Sequence, residues 1–306
     1  MLLAVIATLL MLVHPITIRM KKKYYFGFAL VLLIAITNSG CSAIRRFTDT
    51  RDKTIFKPLE KKEIEGQIIR YRADGHTMRY LKVGVDTLPT LVFIHGAPSS
   101  LKSWARYYTD SVFLSQFRMI SIDRPGYGKS DYGEVVTNLQ RQAALIRPVF
   151  DQIQNGKPVT LIGSSYGGTI VARLLMDYPG LADRAVLLSA SLKPGAEKVY
   201  GISHLMKTPI IKYIFPKFLR LATYEKFSHR EELEKMVCWE DIRIPVTIIQ
   251  GDADDLIYLE NAFYAKEQLQ NAPMVDMIIL PGRGHGLQFS EPETIRELFW
   301  ESAAKQ

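Results

Sequence analysis

From residue 66 onward the chain alternates between short apolar runs and longer stretches with helical spacing. At 66–72 and 77–83, apolar residues fall at every second position, as they do in half-exposed strands. The runs 90–95, 118–123, 158–163, 185–190, 245–250 and 275–280 are almost continuously apolar. Strands of that kind are buried on both faces, as in a parallel sheet. Helical periodicity occupies 135–153, 167–178, 259–270 and 291–302. Alternating strands and helices predict an α/β fold, a sheet with helices on both faces. No internal repeat or low-complexity segment interrupts it.

Residues 191–244 break this rhythm. They carry no buried-strand pattern, mix apolar, aromatic and basic residues, and hold Pro209 and Pro216. They predict a small helical insertion above the sheet. Its bland reading is surface helices packing their own apolar faces. The sharper readings are a lid over a substrate cleft and a surface that dips into lipid.

The first 41 residues stand apart. An apolar run ended by His14 and Pro15 falls short of the about 20 residues a membrane span needs. A second segment starts at Met20, with Lys21, Lys22 and Lys23, an apolar stretch and small residues ending at Cys41. These are the three regions of a signal peptide in order. Met20 reads as the natural start. The ending "NSGCS" resembles a bacterial lipoprotein signal, which implies cleavage before Cys41 and lipid attachment there. A retained anchor and a plain secreted protein are the rival readings. The expected location is exported and membrane-tethered at the cell envelope, with residues 42–62 a polar tether and 63–306 the folded domain that carries the 191–244 insertion. The formal net charge is +8, and Arg19 with the three lysines supplies half of it. The remainder carries no basic stripe interleaved with aromatics, so no nucleic-acid partner is expected. Two cysteines, Cys41 and Cys238, exclude a disulfide framework and a cysteine zinc site. Cys238, Met206 and Met236 read as packing residues.

The candidate chemistry begins at "LIGSSYGG", 161–168. The pattern G-x-S-x-G fits in one register, Gly163, Ser165 and Gly167, between an apolar strand and a helical pattern. Glycines there allow a turn sharp enough to expose the serine. A serine hydroxyl needs a base. Of six histidines, His285 lies in a glycine-rich loop between the last strand and the last helix, where its ring can reach the sheet edge. His76, His204 and His229 are expected at the surface. The base needs an orienting acid, and Asp252, Asp254 and Asp255 are all available after the strand at 245–250.

Four motifs, "HGAPSS" (95–100), "DRPGYGKS" (123–130), "GSSYGG" (163–168) and "GDADD" with a later "GHG", come in an order and spacing that resemble the α/β-hydrolase fold superfamily. The likeness runs from about residue 64 to 304, in the esterase, haloperoxidase and C–C hydrolase branch. It implies a mostly parallel eight-stranded sheet with a helical cap. It also implies a triad of Ser165, Asp254 and His285, Asp254 being three residues after Gly251. The oxyanion hole would come from the backbone N–H groups of Ala97 and Tyr166. His95 and "DRPGYGKS" become architecture. Dehalogenases and epoxide hydrolases of this fold carry aspartate at the elbow, and dienelactone hydrolases carry cysteine, so serine implies acyl-enzyme chemistry on a small-molecule ester or acyl substrate. No cofactor and no metal are implied, and no histidine pair has ligand spacing. The alternatives are a C–C, amide or haloperoxidase-type reaction, or a non-catalytic ligand-binding homologue.

Overall fold

A computed structural model describes residues 51–199 and 216–304. Eight strands are present: β1 (Gly66–Ala73), β2 (His76–Val83), β3 (Thr90–Ile94), β4 (Arg118–Asp123), β5 (Val159–Ser164), β6 (Arg184–Leu188), β7 (Val246–Gly251) and β8 (Val275–Leu280). They form one sheet in the order β1-β2-β4-β3-β5-β6-β7-β8. The β1–β2 hairpin joins β4 antiparallel, and every other pairing is parallel. All eight lie within one or two residues of the runs that the hydrophobic pattern predicts.

The helices of the argument are α1 (Asp52–Glu60), α2 (Leu139–Ile146), α3 (Pro148–Ile153), α4 (Tyr166–Asp177), α5 (Lys217–Glu234), α6 (Glu260–Gln268) and α7 (Pro292–Ala304). The periodic stretch 135–153 is two helices, because Pro148 starts a new one at its first position. Successive residues of the central strands feed opposite cores. Val92, Ile94, Leu161 and Ile248 pack with the side of the sheet that carries α2, α4 and α6. Leu91, Phe93, Ile162 and Ile249 pack with Trp104, Tyr107, Phe299 and the buried face of α1. Two-sided burial is why these strands read as continuous apolar runs.

The expected tether is corrected by α1. Ile55 and Leu59, one helical turn apart, are fully buried. Asp52 at its start accepts from Arg70 at 2.6 Å, Arg79 at 2.9 Å and Lys129 at 3.1 Å. The charged run "RRFTDTRDKT" (45–54) leads straight into this single apolar stripe, and from Asp52 onward the segment belongs to the domain. Residues 1–50, with Cys41 and the signal region, lie outside the described residues, as do 200–215 with His204 and Met206. Among the described residues no helix is long and apolar enough to cross a membrane.

Within 191–244 the structure places α5. Its buried face is partly polar: Glu225, His229 and Glu232 recur at helical spacing between Leu221 and Leu233. The Glu232 carboxylate accepts from Leu139 N and Asn138 Nδ2, both at 2.9 Å, at the positive end of α2. His229 and His76 are 1% and 7% exposed, so neither is the surface residue expected from its polar neighbours.

Candidate active site

The carboxyl ends of β3, β5, β7 and β8 each lead into a loop that carries one part of the expected site. In open α/β sheets that edge is where ligands bind. Ser165 directly follows β5 and caps α4 with φ +54° and ψ −125°. A non-glycine residue there is strained and persists only where its surroundings hold it. Here Ser165 N–H donates to Leu188 O at 2.9 Å, and Ser165 C=O accepts from Gly168 N at 2.9 Å and Ser191 N at 3.3 Å. The flanking glycines are obligatory on steric grounds. A Cβ on Gly167 would meet the carbonyl oxygens of Ile94 and His95, the latter at 2.7 Å. One on Gly163 would meet the Gly167 backbone at 2.7 Å. Ser164, the neighbouring serine, is buried within β5. Ser165 is half-buried, at the turn itself.

The loop after β3 lies against this serine: a Cβ on Gly96 would stand 3.0 Å from Ser165 Cβ. Ala97 is the next residue of that loop, and Tyr166 is the first residue of α4 after Ser165. Among the described residues neither of their amides donates to another protein group. His95 is fully buried, with Nδ1 2.7 Å from Gly96 O and Nε2 accepting from Arg124 N at 3.0 Å. Burial and the nearby Arg124 charge push its pKa well below the ordinary histidine value. A neutral ring with both nitrogens engaged is an architectural residue, in line with the expectation.

Asp254 and His285 meet as expected. His285 Nδ1 lies 2.8 Å from Asp254 Oδ2, with the Asp254 side chain fully buried and the His285 side chain 23% exposed. The other Asp254 oxygen accepts from Leu256 N at 3.0 Å and Ile257 N at 2.9 Å. Gln250 Nε2 donates to Oδ2 at 3.1 Å and to Ile257 O at 3.0 Å. The three-way choice among aspartates resolves by position. Asp252 accepts from Gly282 N at 2.6 Å, tying the β7 and β8 loops, and Asp255 pairs with Lys198 at 2.8 Å on the surface. A Cβ on Gly251 would meet the backbone of Arg283, so the loops that carry Asp254 and His285 are in direct contact. Among the described residues no hydrogen bond joins His285 to Ser165; such contacts commonly tighten when substrate is bound.

His76, Asp131 and Glu134 also cluster, with His76 Nδ1 3.4 Å from Asp131 Oδ2 and 3.7 Å from Glu134 Oε1. Arg141 Nη2 lies 3.5 Å from His76 Nε2 and can only donate. That is a polar clasp between the β1–β2 turn and the loop after β4.

Sequence reasoning missed Gln250, Arg124, Gln142, Glu225 and His229. Of these, Arg124 alone carried a signal, its place inside "DRPGYGKS".

Residues 91–298 match the model of the "Alpha/beta hydrolase family". The chain belongs to that family. Epoxide hydrolase 1 of Caenorhabditis elegans is 25% identical over 266 residues, 85% of this chain and 56% of that protein, so the chain spans little more than half of that relative. A 2-hydroxy-6-oxononadienedioate/2-hydroxy-6-oxononatrienedioate hydrolase of Burkholderia vietnamiensis is 26% identical over 253 residues, covering 69% of this chain and 85% of that one. Among solved structures, carboxylesterase CesB of Bacillus subtilis superposes with a TM-score of 0.59 at 17% identity, covering 82% of this chain and 95% of its own. An esterase of Exiguobacterium antarcticum gives 0.61 at 20% identity, with 77% and 99% covered. At those identities the structural likeness is one of fold. The family's mostly parallel eight-stranded sheet is the one described above, and the named relatives are hydrolases acting on different bonds.

Proposed function

We propose that this α/β hydrolase cleaves a small-molecule carboxylic ester through an acyl-enzyme on Ser165. The observation that carries the reading is the 2.8 Å contact from His285 Nδ1 to the buried Asp254 carboxylate. With Nδ1–H donated to Asp254, the lone pair of the neutral ring lies on Nε2. That is the tautomer a general base for serine requires.

The chemistry follows from these groups. Ser165 Oγ attacks the ester carbonyl while His285 Nε2 takes its proton. The carbonyl oxygen becomes an oxyanion, held by the amides of Ala97 and Tyr166, with the positive end of α4 beneath it. Collapse breaks the bond to the leaving oxygen, which departs as an alcohol with the proton from His285. Water, deprotonated by the same ring, then attacks the acyl-enzyme, and the acid and free Ser165 result. Serine in place of aspartate at the elbow supports this over the epoxide reaction named for the nematode relative.

A second reading is cleavage of a C–C bond beside a carbonyl by the same residues. The Burkholderia relative supports it, since the match covers 85% of that enzyme. The proposal extends to export and lipid attachment at Cys41, which rest on the sequence pattern of residues 20–41. The test is a p-nitrophenyl ester series from C2 to C12, run on the full chain and on Ser165→Ala. Hydrolysis by the wild type that disappears in the variant is expected. An active variant would overturn the proposal. Turnover of a vinylogous diketone acid with no ester turnover would favour the second reading.

A further inference from the structure

We infer that the cap helix α5 sets the alignment of the oxyanion hole, with Glu225 and His229 as positioning residues that act through Arg124 and Tyr166. The inference rests on the acyl-transfer reading and adds residues beyond the triad and the two amides.

The geometry is a buried stack. Tyr166, whose amide follows the nucleophile, has its ring against two groups. The Arg124 guanidinium lies 4.5 Å from its centroid, and the His229 ring lies 4.6 Å from it. Arg124 is fully buried and reaches both sides of the expected oxyanion hole. Its Nε donates to His95 O at 2.9 Å, at the root of the Ala97 loop, and its charge lies over Tyr166 on the nucleophile side. Glu225 fixes that guanidinium with two bonds, at 2.7 and 3.1 Å, and also accepts from Tyr127 OH at 2.6 Å and Gln142 Nε2 at 3.2 Å. Burial works against the Arg124 charge, and the Glu225 carboxylate beside it works the other way, so the Arg124 pKa is raised. His229 Nε2 lies 3.0 Å from Ser191 Oγ, and Ser191 N–H is one of the donors that hold the Ser165 carbonyl. Its Nδ1 has no partner among the described residues, so the ring is held by stacking and that one bond.

Glu225 and His229 are four residues apart and so share one face of α5. One helix of the insertion thus grips the residue behind each expected oxyanion donor. A buried ion pair is weak evidence for stability alone, since an apolar replacement often serves as well. Here the pair holds a planar cation against a ring in a fixed orientation, which an apolar pair would not do. Substrate is expected to contact none of these four side chains. Their effect falls on the transition state, where a small misplacement of a donor is costly.

The decisive variant is Glu225→Gln. One amide oxygen can still accept from Arg124, but the amide NH₂ then faces a guanidinium N–H, and the ring contact with Tyr166 is lost. Three quantities are measured on the full chain: kcat and KM for p-nitrophenyl butyrate, the second-order rate of Ser165 labelling by a fluorophosphonate, and the melting temperature. The inference predicts that kcat and the labelling rate fall together by about 10- to 100-fold with KM nearly unchanged. Glu232→Gln, on the same face but directed at α2, is expected to lower the melting temperature and leave the labelling rate near wild type. Should Glu225→Gln fail to fold, His229→Ala removes the other ring contact of Tyr166 and is expected to give the same paired loss. Equal labelling of wild type and the folded variants, or a loss that Glu232→Gln reproduces, would overturn the inference alone. No labelling of wild type at Ser165 would overturn the acyl-transfer reading, and the inference with it.

Discussion

Asp254→Asn isolates the orienting role of one carboxylate with little change of volume. In the wild type, Oδ1 takes the amides of Leu256 and Ile257, and Oδ2 takes Gln250 Nε2 and His285 Nδ1. Asparagine keeps one oxygen, and the two backbone donors on Oδ1 determine where it points. Its NH₂ then faces His285, and also faces Gln250 Nε2, itself a donor. His285 must present a lone pair at Nδ1 and carry its proton on Nε2, the nitrogen that has to accept from Ser165. The fold is retained, because both backbone donors keep their acceptor. By analogy with triads in which this substitution fixes the wrong tautomer, kcat should fall by about 10⁴-fold, or about 5 kcal/mol of barrier. KM should change little, since substrate does not touch a fully buried side chain. Steady-state kinetics on p-nitrophenyl esters, with circular dichroism to confirm folding, read both quantities. A folded Asp254→Asn enzyme within about threefold of wild-type kcat, a barrier change under about 0.7 kcal/mol, would refute the tautomer argument.

Other consequences are as direct. Leu59→Ala should cost about 2–5 kcal/mol in urea unfolding, as truncation of a fully buried leucine does, whereas a neutral result would restore the picture of a detached tether. His95 and His229 are both held below the ordinary histidine value, chiefly by burial. Their folded pKa values are depressed, so below about pH 6.5 the unfolded chain binds protons that the folded chain refuses, and stability falls as pH drops, by about 1.4 kcal/mol per pH unit for each ring. Urea midpoints compared at about pH 7.5 and about pH 5.5 should show this loss, and a flat profile would mean that neither ring is kept neutral. For residues 1–41, mass spectrometry of the protein expressed in a bacterium should find an acylated N-terminal Cys41, abolished in Cys41→Ser. An intact N-terminus before residue 41 would favour the retained anchor.

How legible the molecule is from its sequence depends on the range of the interactions involved. All eight strands could be read because burial on two faces, or alternation on one, leaves a periodic record within a few residues. Ser165 could be read because its turn needs glycine at 163 and 167 for steric reasons, and His285 because Gly286 beside it takes a φ of +80°, and glycine is visible in a sequence. Asp254 was one of three aspartates until the fold placed Asp252 against Gly282 and Asp255 at the surface. The helix α1 was missed because its buried stripe is two residues, Ile55 and Leu59, inside a charged segment. The Arg124–Glu225 pair spans 101 positions, and no local pattern marks a glutamate as the partner of a buried arginine that far away. His229 was read from its charged neighbours, although a helix with both a wet face and a buried polar face carries the same composition.

The measurement that tests the central claim most directly is trapping of the covalent intermediate. The purified full chain is mixed with p-nitrophenyl butyrate, quenched in acid within the burst phase, digested, and the peptide containing 161–168 is weighed. The account predicts a butyryl adduct on Ser165, absent in Ser165→Ala and accumulating in step with the burst of p-nitrophenol. Turnover by the wild type without an adduct, together with an active Ser165→Ala, would contradict it.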